Sequence, residues 1–220
     1  MVGTEERAAE CAGASAEKPV FDVTKRIFDV FCSLIGLIIA SPVFLVIAVC
    51  IKKEDGGSVF YSHERVGMGG KPIRILKFRS MKPDSDKLLT AEQLAEYKKE
   101  YKLKNDPRLT KTGAFIRKTS LDELPQLINI LMGDMSLIGP RPILRQEMDE
   151  NYSPDQIRLL CSVKPGLTGY WAAYARNNTG YSNGERQKME LFYCRNRSVL
   201  LDIKILFKTA AVVLSRRGAY

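Results

Sequence analysis

The sequence has few of the residues on which most metal and nucleophilic sites depend. His63 is the only histidine in 220 residues, which excludes a site with several histidine ligands. The five cysteines are odd in number and form no CxxC pair, so neither a disulfide framework nor a zinc ribbon is indicated. The motifs GxxxxGK(S/T), GxGxxG and GxSxG are also absent. An enzyme built on this chain therefore depends on Asp, Glu, Lys and Arg.

The composition is that of a globular protein with an excess of positive charge. There are 34 Lys and Arg residues against 25 Asp and Glu residues, a formal net charge of +9. With 45% hydrophobic and 27% charged residues, the chain is neither disordered nor a protein of many membrane spans. A basic chain favours anionic partners. Charge alone does not choose among nucleic acid, acidic lipid and phosphorylated small molecules.

One segment, residues 27–51, is apolar enough to enter a membrane. Its 25 residues include Asp29 as the only charge, and this length can cross about 30 Å of hydrocarbon. Ser41-Pro42 lies past the middle, where proline removes an intrahelical hydrogen bond and kinks a helix. Basic pairs flank both ends, so the positive-inside rule gives no orientation. These pairs are Lys25-Arg26 and Lys52-Lys53.

Basic residues at both ends favour a structure that keeps both ends on the cytoplasmic side. We therefore expect residues 21–53 to form a re-entrant membrane helix, a helix-break-helix that enters one leaflet and returns. A single tilted span and a buried helix of a soluble protein are the alternatives.

The rest of the chain predicts an α+β fold that is mainly α. Residues 1–20 are small and polar, so we expect a disordered N-terminus. Two strand-like runs enclose a Gly-rich turn, which predicts a small β-hairpin within a soluble catalytic domain over 54–200. Residues 201–220 predict a basic amphipathic helix on or near the membrane surface, with a core-facing helix as the alternative. The runs are 59–61 and 73–78, and further helices are expected at 91–104, 120–132 and 155–163.

The acidic pair Asp122-Glu123 is the strongest candidate for chemistry. Ser120 and Glu123 fit a capping box, which would give the pair a purely structural role. Pro125 would interrupt a helix begun at Ser120, and a later start would leave both carboxylates on an exposed turn. Carboxylates there could hold Mg²⁺, and an ionised aspartate can act as a nucleophile toward phosphorus. The spacing leaves both interpretations open.

Several cations lie near this pair in the sequence. Lys77 and Arg79 alternate on one face of the second strand, Arg117 precedes the pair, and Arg141 lies between two prolines. Arg and Lys at turns and element ends suit phosphate binding, since Arg makes bidentate contacts and Lys acts as a point charge. His63 lies in the hairpin, where we expect a surface residue without a catalytic role.

Longer strings resemble a known family. The strings KFRSM, TSLDELPQL, GDMSLIGPRP, KPGLTGYW and LDIKILFKT are similar to those of bacterial sugar transferases of the monotopic phosphoglycosyl transferase type. The resemblance runs from about Lys25 to Tyr220 and, with no multi-span segment before it, implies the minimal catalytic form. It implies a polyprenyl-phosphate sugar-1-phosphate transferase. Such an enzyme takes the sugar-1-phosphate from a UDP-sugar, gives it to undecaprenyl phosphate, and releases UMP in the first membrane step of polysaccharide or glycan assembly.

The resemblance also implies roles for individual residues. Asp122 would be the nucleophile that forms a covalent phosphosugar intermediate, and Asp122 and Glu123 would hold Mg²⁺. Ser41 and Pro42 would form the break in the membrane helix. The substrate phosphates would be bound by five cations, Lys77, Arg79, Arg117, Arg141 and Arg176.

The resemblance places the chain on the cytoplasmic face of the bacterial inner membrane, in contact with lipid. No nucleic acid partner is expected, and a homodimer is among the assemblies that the resemblance allows. Ala172 and Ala175 stand where the family usually carries Gln and Gly, a departure that concerns donor recognition. The rival interpretation is a basic membrane-associated module that binds anionic lipid or nucleic acid without catalysis.

Overall fold

The computed structural model describes residues 18–83, 85–100, 103, 106–175, 181 and 183–214. This part of the chain is mainly helical, as predicted, with two small two-stranded sheets. The α-helices are α1 (Pro19–Asp55), α2 (Ala91–Glu100), α3 (Lys111–Lys118), α4 (Gln126–Met132), α5 (Arg145–Asn151), α6 (Pro154–Cys161), α7 (Tyr170–Tyr174), α8 (Glu185–Asn196) and α9 (Val199–Leu214). The strands are β1 (Phe60–Val66), β2 (Pro72–Phe78), β3 (Ser136–Ile138) and β4 (Gly166–Thr168). Short 3-10 helices cover Met68–Gly70, Ser85–Leu88 and Leu121–Glu123.

Helix α1 is a single element of 37 residues, slightly longer than the predicted 21–53. Proline is favoured in the first turn, where Pro19 lies, and Gly56 ends the helix in the left-handed conformation. The helix is continuous through Ser41 and Pro42, so the predicted break at these residues is not confirmed. Pro42 has no N–H to donate to the carbonyl four residues earlier, which belongs to Ile38. The Ser41 hydroxyl donates to that carbonyl at 2.8 Å and so satisfies it.

Most of the α1 surface is apolar and uncovered. Its most apolar window has a mean hydropathy of 2.9 and is only 11% buried, so this helix is long and apolar enough to cross a membrane. Large side chains along it are exposed, among them Phe31 at 63%, Ile39 at 72% and Leu45 at 68%. An apolar surface of this extent requires an apolar environment, which indicates a membrane-associated protein.

The rest of the domain holds α1 through its backbone groups. The Arg26 guanidinium donates to the carbonyl oxygens of Ile130 and Leu131, at the end of α4, at 2.5 and 2.8 Å. The buried Asp29 carboxylate accepts from the N–H of Leu137 in β3 at 3.0 Å. Arg26 thus satisfies two carbonyl groups at the end of α4, and Asp29 satisfies one backbone N–H of β3.

The predicted hairpin is confirmed. Strands β1 and β2 are antiparallel, with Tyr61 opposite Lys77 and Arg65 opposite Ile73. Helix α4 is fixed to the outer edge of β2 by the Asn129 side-chain amide, which bonds to backbone groups of two β2 residues at 2.8 Å each. Because α4 follows directly after Asp122-Glu123, this contact sets the acidic pair against β2.

A second sheet was not predicted from the sequence. Strands β3 and β4 are parallel and pair Ser136 with Gly166 and Ile138 with Thr168. Each strand has only three residues, too short for a recognisable alternating pattern. This sheet holds the loop after β3, which contains Arg141, against the loop before β4.

Helix α9 covers Val199–Leu214, beginning two residues before the predicted 201–220, whose last six residues lie outside the described part. Its inner side is held by Asp202, which accepts from Lys25 at 2.6 Å and from the Tyr193 hydroxyl at 2.8 Å. Its outer side exposes Leu200 and Phe207, each 72% accessible. The helix therefore packs on the domain and also presents an apolar surface, which combines the two alternatives from the sequence.

Candidate active site

Asp122 and Glu123 lie on the 3-10 turn between α3 and α4. Of the two interpretations left open by the spacing, the capping box is wrong: Ser120 has a left-handed backbone (φ 57°), and its side chain caps no helix. Helix α4 begins only at Gln126, after Pro125. A capping serine needs an extended backbone to aim its oxygen at the helix N–H groups, which Ser120 lacks. The two carboxylates are therefore presented by a turn, and Asp122 is only 6% exposed.

Two of the predicted phosphate-binding cations converge on this pair. The Lys77 ammonium lies 2.8 Å from Glu123 Oε1 and 3.7 Å from Asp122 Oδ2. The Arg141 Nη1 lies 3.9 Å from Glu123 Oε1. Opposite charges at these distances favour the ionised carboxylates, and a nucleophilic aspartate must be ionised. The turn, β2 and the loop after β3 thus assemble one charged site.

Arg79 and Arg117 have partners of their own. Strand β2 ends at Phe78, and the Arg79 guanidinium turns to Asp55 at the end of α1, with Nε donating to the Ser58 carbonyl at 2.6 Å. Arg117 Nε donates to Ser80 Oγ at 2.9 Å. Strand alternation predicted that Lys77 and Arg79 lie side by side on one face. The structure separates them, because β2 ends between them. Arg176 lies outside the described residues.

Arg141 is held by a residue that the sequence did not indicate. Its backbone N–H donates to Glu190 Oε2 at 3.1 Å, and Glu190, from α8, is only 3% exposed. Burial raises the pKa of Glu190 to about 7, although the charges of Arg186 and Arg141 oppose the change. The side chain of Arg141 is 39% exposed.

A second buried carboxylate supports the same region. Glu147 Oε1 accepts from the Tyr181 hydroxyl at 2.6 Å and lies 3.2 Å from Arg186 Nη2. The Arg186 guanidinium lies over the rings of Trp171 and Tyr181 at 4.5 and 4.2 Å. In the sequence these charged residues resemble ordinary surface positions of α5 and α8. Only the packing of α8 against the rest of the domain shows that they are buried.

The acidic pair also suits the metal expected from the sequence. Within the described residues no group of three or more His, Cys, Asp or Glu side chains is placed to hold a metal. Asp122 and Glu123 are adjacent carboxylates, and Mg²⁺ is commonly bound by one or two carboxylates together with substrate phosphates. The donor set is therefore compatible with Mg²⁺ shared with a bound diphosphate.

Comparison with known proteins decides the family. The family model described as bacterial sugar transferase matches residues 20–216. The chain belongs to the bacterial sugar transferase family. It is 48% identical over 202 residues to the undecaprenyl-phosphate galactose phosphotransferase of Salmonella typhimurium, covering 89% of this chain and 41% of that protein.

Other relatives in the family cover different shares of their own length. The chain is 42% identical over 211 residues to the exopolysaccharide production protein ExoY of Rhizobium meliloti, covering 93% of this chain and 92% of ExoY. It is 40% identical over 203 residues to the UDP-glucose:undecaprenyl-phosphate glucose-1-phosphate transferase of Escherichia coli, covering 89% of this chain and 41% of that enzyme. The chain thus spans about two fifths of several relatives and nearly all of ExoY.

Proposed function

We propose that this chain transfers a sugar-1-phosphate from a UDP-sugar to a polyprenyl phosphate, with undecaprenyl phosphate as the natural acceptor. The observation that carries the proposal is the buried Asp122 beside Glu123 and Lys77, in a family whose relatives are named for this transfer. Those relatives are named for galactose and glucose, so a UDP-hexose is the first donor to test.

The reaction has two steps, and Asp122 acts in both. An ionised carboxylate oxygen of Asp122 forms a bond to the sugar-bearing phosphorus of the donor. The bond from that phosphorus to the bridging oxygen breaks, and UMP leaves with the electron pair. A phosphate oxygen of the polyprenyl acceptor then attacks the same phosphorus and displaces Asp122. The product is polyprenyl-diphosphate-sugar, and the carboxylate is restored.

The neighbouring charges support these steps electrostatically. Lys77 and Arg141 are within 4 Å of Glu123, and both cations would neutralise negative charge that accumulates on the bridging oxygen as UMP leaves. Asp122 and Glu123 would hold Mg²⁺. When bound, Mg²⁺ neutralises phosphate charge. Lys77 Nζ lies 2.8 Å from Glu123 and 3.7 Å from Asp122 and reduces the mutual repulsion of the two carboxylates.

We further propose that α1 is re-entrant and keeps both ends on the cytoplasmic side of the inner membrane. Support comes from the basic residues at both ends and from Pro42, where the backbone bond to Ile38 is replaced by a side-chain bond. The exposed face of α9 would lie in the same leaflet. In a variant without the native cysteines, single cysteines at Val20 and at Ser58, just after α1, should both react with a membrane-impermeant maleimide from the cytoplasmic side. Reaction from opposite sides would mean that α1 spans the membrane.

The test of catalysis is UMP release by the full chain in nanodiscs with Mg²⁺, undecaprenyl phosphate and either UDP-galactose or UDP-glucose. Asp122→Asn should lose turnover by at least about a thousandfold, because a neutral amide is no nucleophile. The matched control is Asp155→Asn, an exposed carboxylate on α6, which should behave as wild type. Turnover in Asp122→Asn would refute the assignment of the nucleophile. Absence of UMP from the folded wild type with a complete UDP-sugar panel would refute the proposed function and favour a binding module.

A further inference from the structure

Arg65 is a cation near the active site that the sequence did not single out. It lies near the end of β1, and its side chain is half-buried. Its Nη1 is inaccessible to solvent and has no hydrogen-bond partner among the described residues. An unpaired buried donor destabilises the folded protein, and more so when it is charged. The fold therefore retains an arrangement that is unfavourable unless something else pairs with Arg65.

The hairpin places Arg65 on the face that bears Lys77. Side chains alternate along a strand, so Tyr61, His63 and Arg65 share one face of β1. Lys77 is opposite Tyr61 and belongs to the same face. The pKa of His63 is consistent with two cations on the same face: burial lowers this pKa, and the positive charges of Arg65 and Lys77 lower it further. The face thus carries a cation at each end, with the histidine between them.

The Arg65 end of this face lies near the segment that contains Arg141. The N–H of Val66, next to Arg65, donates to the Ile143 carbonyl at 3.0 Å, which joins β1 to the segment after Arg141. Burial lowers the pKa of Arg65, and the positive charge of Arg141 lowers it further. The neighbouring Glu147 is already engaged by Tyr181 and Arg186 and does not pair with Arg65.

Two arginines on segments joined by a backbone hydrogen bond, one of them with an unpaired buried Nη1, are suited to an anion with several oxygens. Phosphate groups match the planar donor fork of arginine, and arginine is often used to bind them. Arg141 also contacts Glu123 of the acidic pair, so such an anion would lie next to the reacting groups. We propose that Arg65, with Arg141, binds a phosphate group of the substrate. This inference rests on the proposed function, and the phosphate belongs either to the donor diphosphate or to the polyprenyl phosphate.

The test compares Arg65→Gln and Arg65→Lys with wild type in nanodiscs. UMP release is measured while the donor and the acceptor are varied separately, and UDP binding is measured by calorimetry without acceptor. Arg74→Gln is the matched control, because Arg74 is an exposed arginine on the opposite face of the same hairpin, across from Glu64. Loss of a charged hydrogen bond should raise KM for one substrate about 10- to 100-fold in Arg65→Gln. Arg65→Lys should restore part of the loss.

The substrate whose KM changes identifies the phosphate. A higher KM for the UDP-sugar with weaker UDP binding assigns Arg65 to the donor, and a higher KM for undecaprenyl phosphate with normal UDP binding assigns it to the acceptor. The thermal midpoint should stay the same or rise in Arg65→Gln, because a repulsive pair of cations is removed. Unchanged KM values, or a lower midpoint with only kcat reduced, would overturn the proposal. A wild type without UMP release would instead refute the proposed function, while UDP binding still tests Arg65.

Discussion

Replacing Glu190 by glutamine should change how stability depends on pH. Glu190 is almost fully buried in α8, where burial raises its pKa to about 7 from an ordinary value of 4.5. Between these values the native protein holds a proton that the unfolded chain has released. The contribution of protonated Glu190 to stability is therefore complete below about pH 4.5 and is lost as the pH rises through 7. Glutamine is neutral at every pH, and its carbonyl oxygen can still accept from the Arg141 N–H.

The size of the effect follows from the change in pKa. One pKa unit corresponds to about 1.4 kcal/mol, so the free energy of unfolding of wild type should fall by about 2–3 kcal/mol relative to Glu190→Gln between pH 5 and pH 8. For a chain of this length, this corresponds to about 5–10 °C in the thermal midpoint. Other titrating groups are common to both proteins and cancel in the difference.

The assay is thermal unfolding followed by intrinsic fluorescence, with both proteins in the same detergent at four values from pH 5 to pH 8. Glu185→Gln is the matched control, because Glu185 is exposed in the first turn of the same helix and should show no pH-dependent difference. A difference in thermal midpoint between wild type and Glu190→Gln that stays constant from pH 5 to pH 8 would refute the raised pKa of Glu190. Glu190 would then be ionised throughout, stabilised by Arg186 and Arg141.

Three further substitutions test the packing around the site. Ile130→Ala should lower the free energy of unfolding by about 2–5 kcal/mol, because Ile130 is fully buried. Met132 in the same helix is 67% exposed, so Met132→Ala should lower it little. Equal losses in a denaturant titration would contradict the assignment of Ile130 to the core. Gly113→Ala should lower the thermal midpoint, because its Cβ would lie 1.9 Å from the Ser80 carbonyl oxygen and force α3 away from the segment after β2. An unchanged midpoint would show that α3 can shift freely. Arg26→Met should cost about 2–3 kcal/mol by removing charged hydrogen bonds to the end of α4, and faster proteolysis between α1 and the domain should report it. Unchanged cleavage would mean that the contacts of Lys25 and Asp29 hold α1 without Arg26.

Much of the site was predictable because its parts are local. The apolar run over 27–51 requires a lipid or a core whatever follows it, and the Gly-rich turn brings its two flanking strands together. The acidic pair and the PRP arginine belong to strings long enough to identify a family. Pro125 also indicated correctly that no helix begins at Ser120 and continues past this proline, since the helix begins only at Gln126.

Tertiary structure decided which charges meet. Lys77 and Arg79 are two residues apart, yet β2 ends between them, and only Lys77 reaches the acidic pair while Arg79 binds Asp55. Burial of a charge depends on which distant helix covers it, and residue type gives no sign of this. Glu190 looks like any acidic residue of a helix until α8 packs behind the Arg141 loop. Local sequence thus determined the long helix, the hairpin and the acidic pair. Packing between distant elements determined the electrostatics around that pair, because charge interactions act through space and not along the chain.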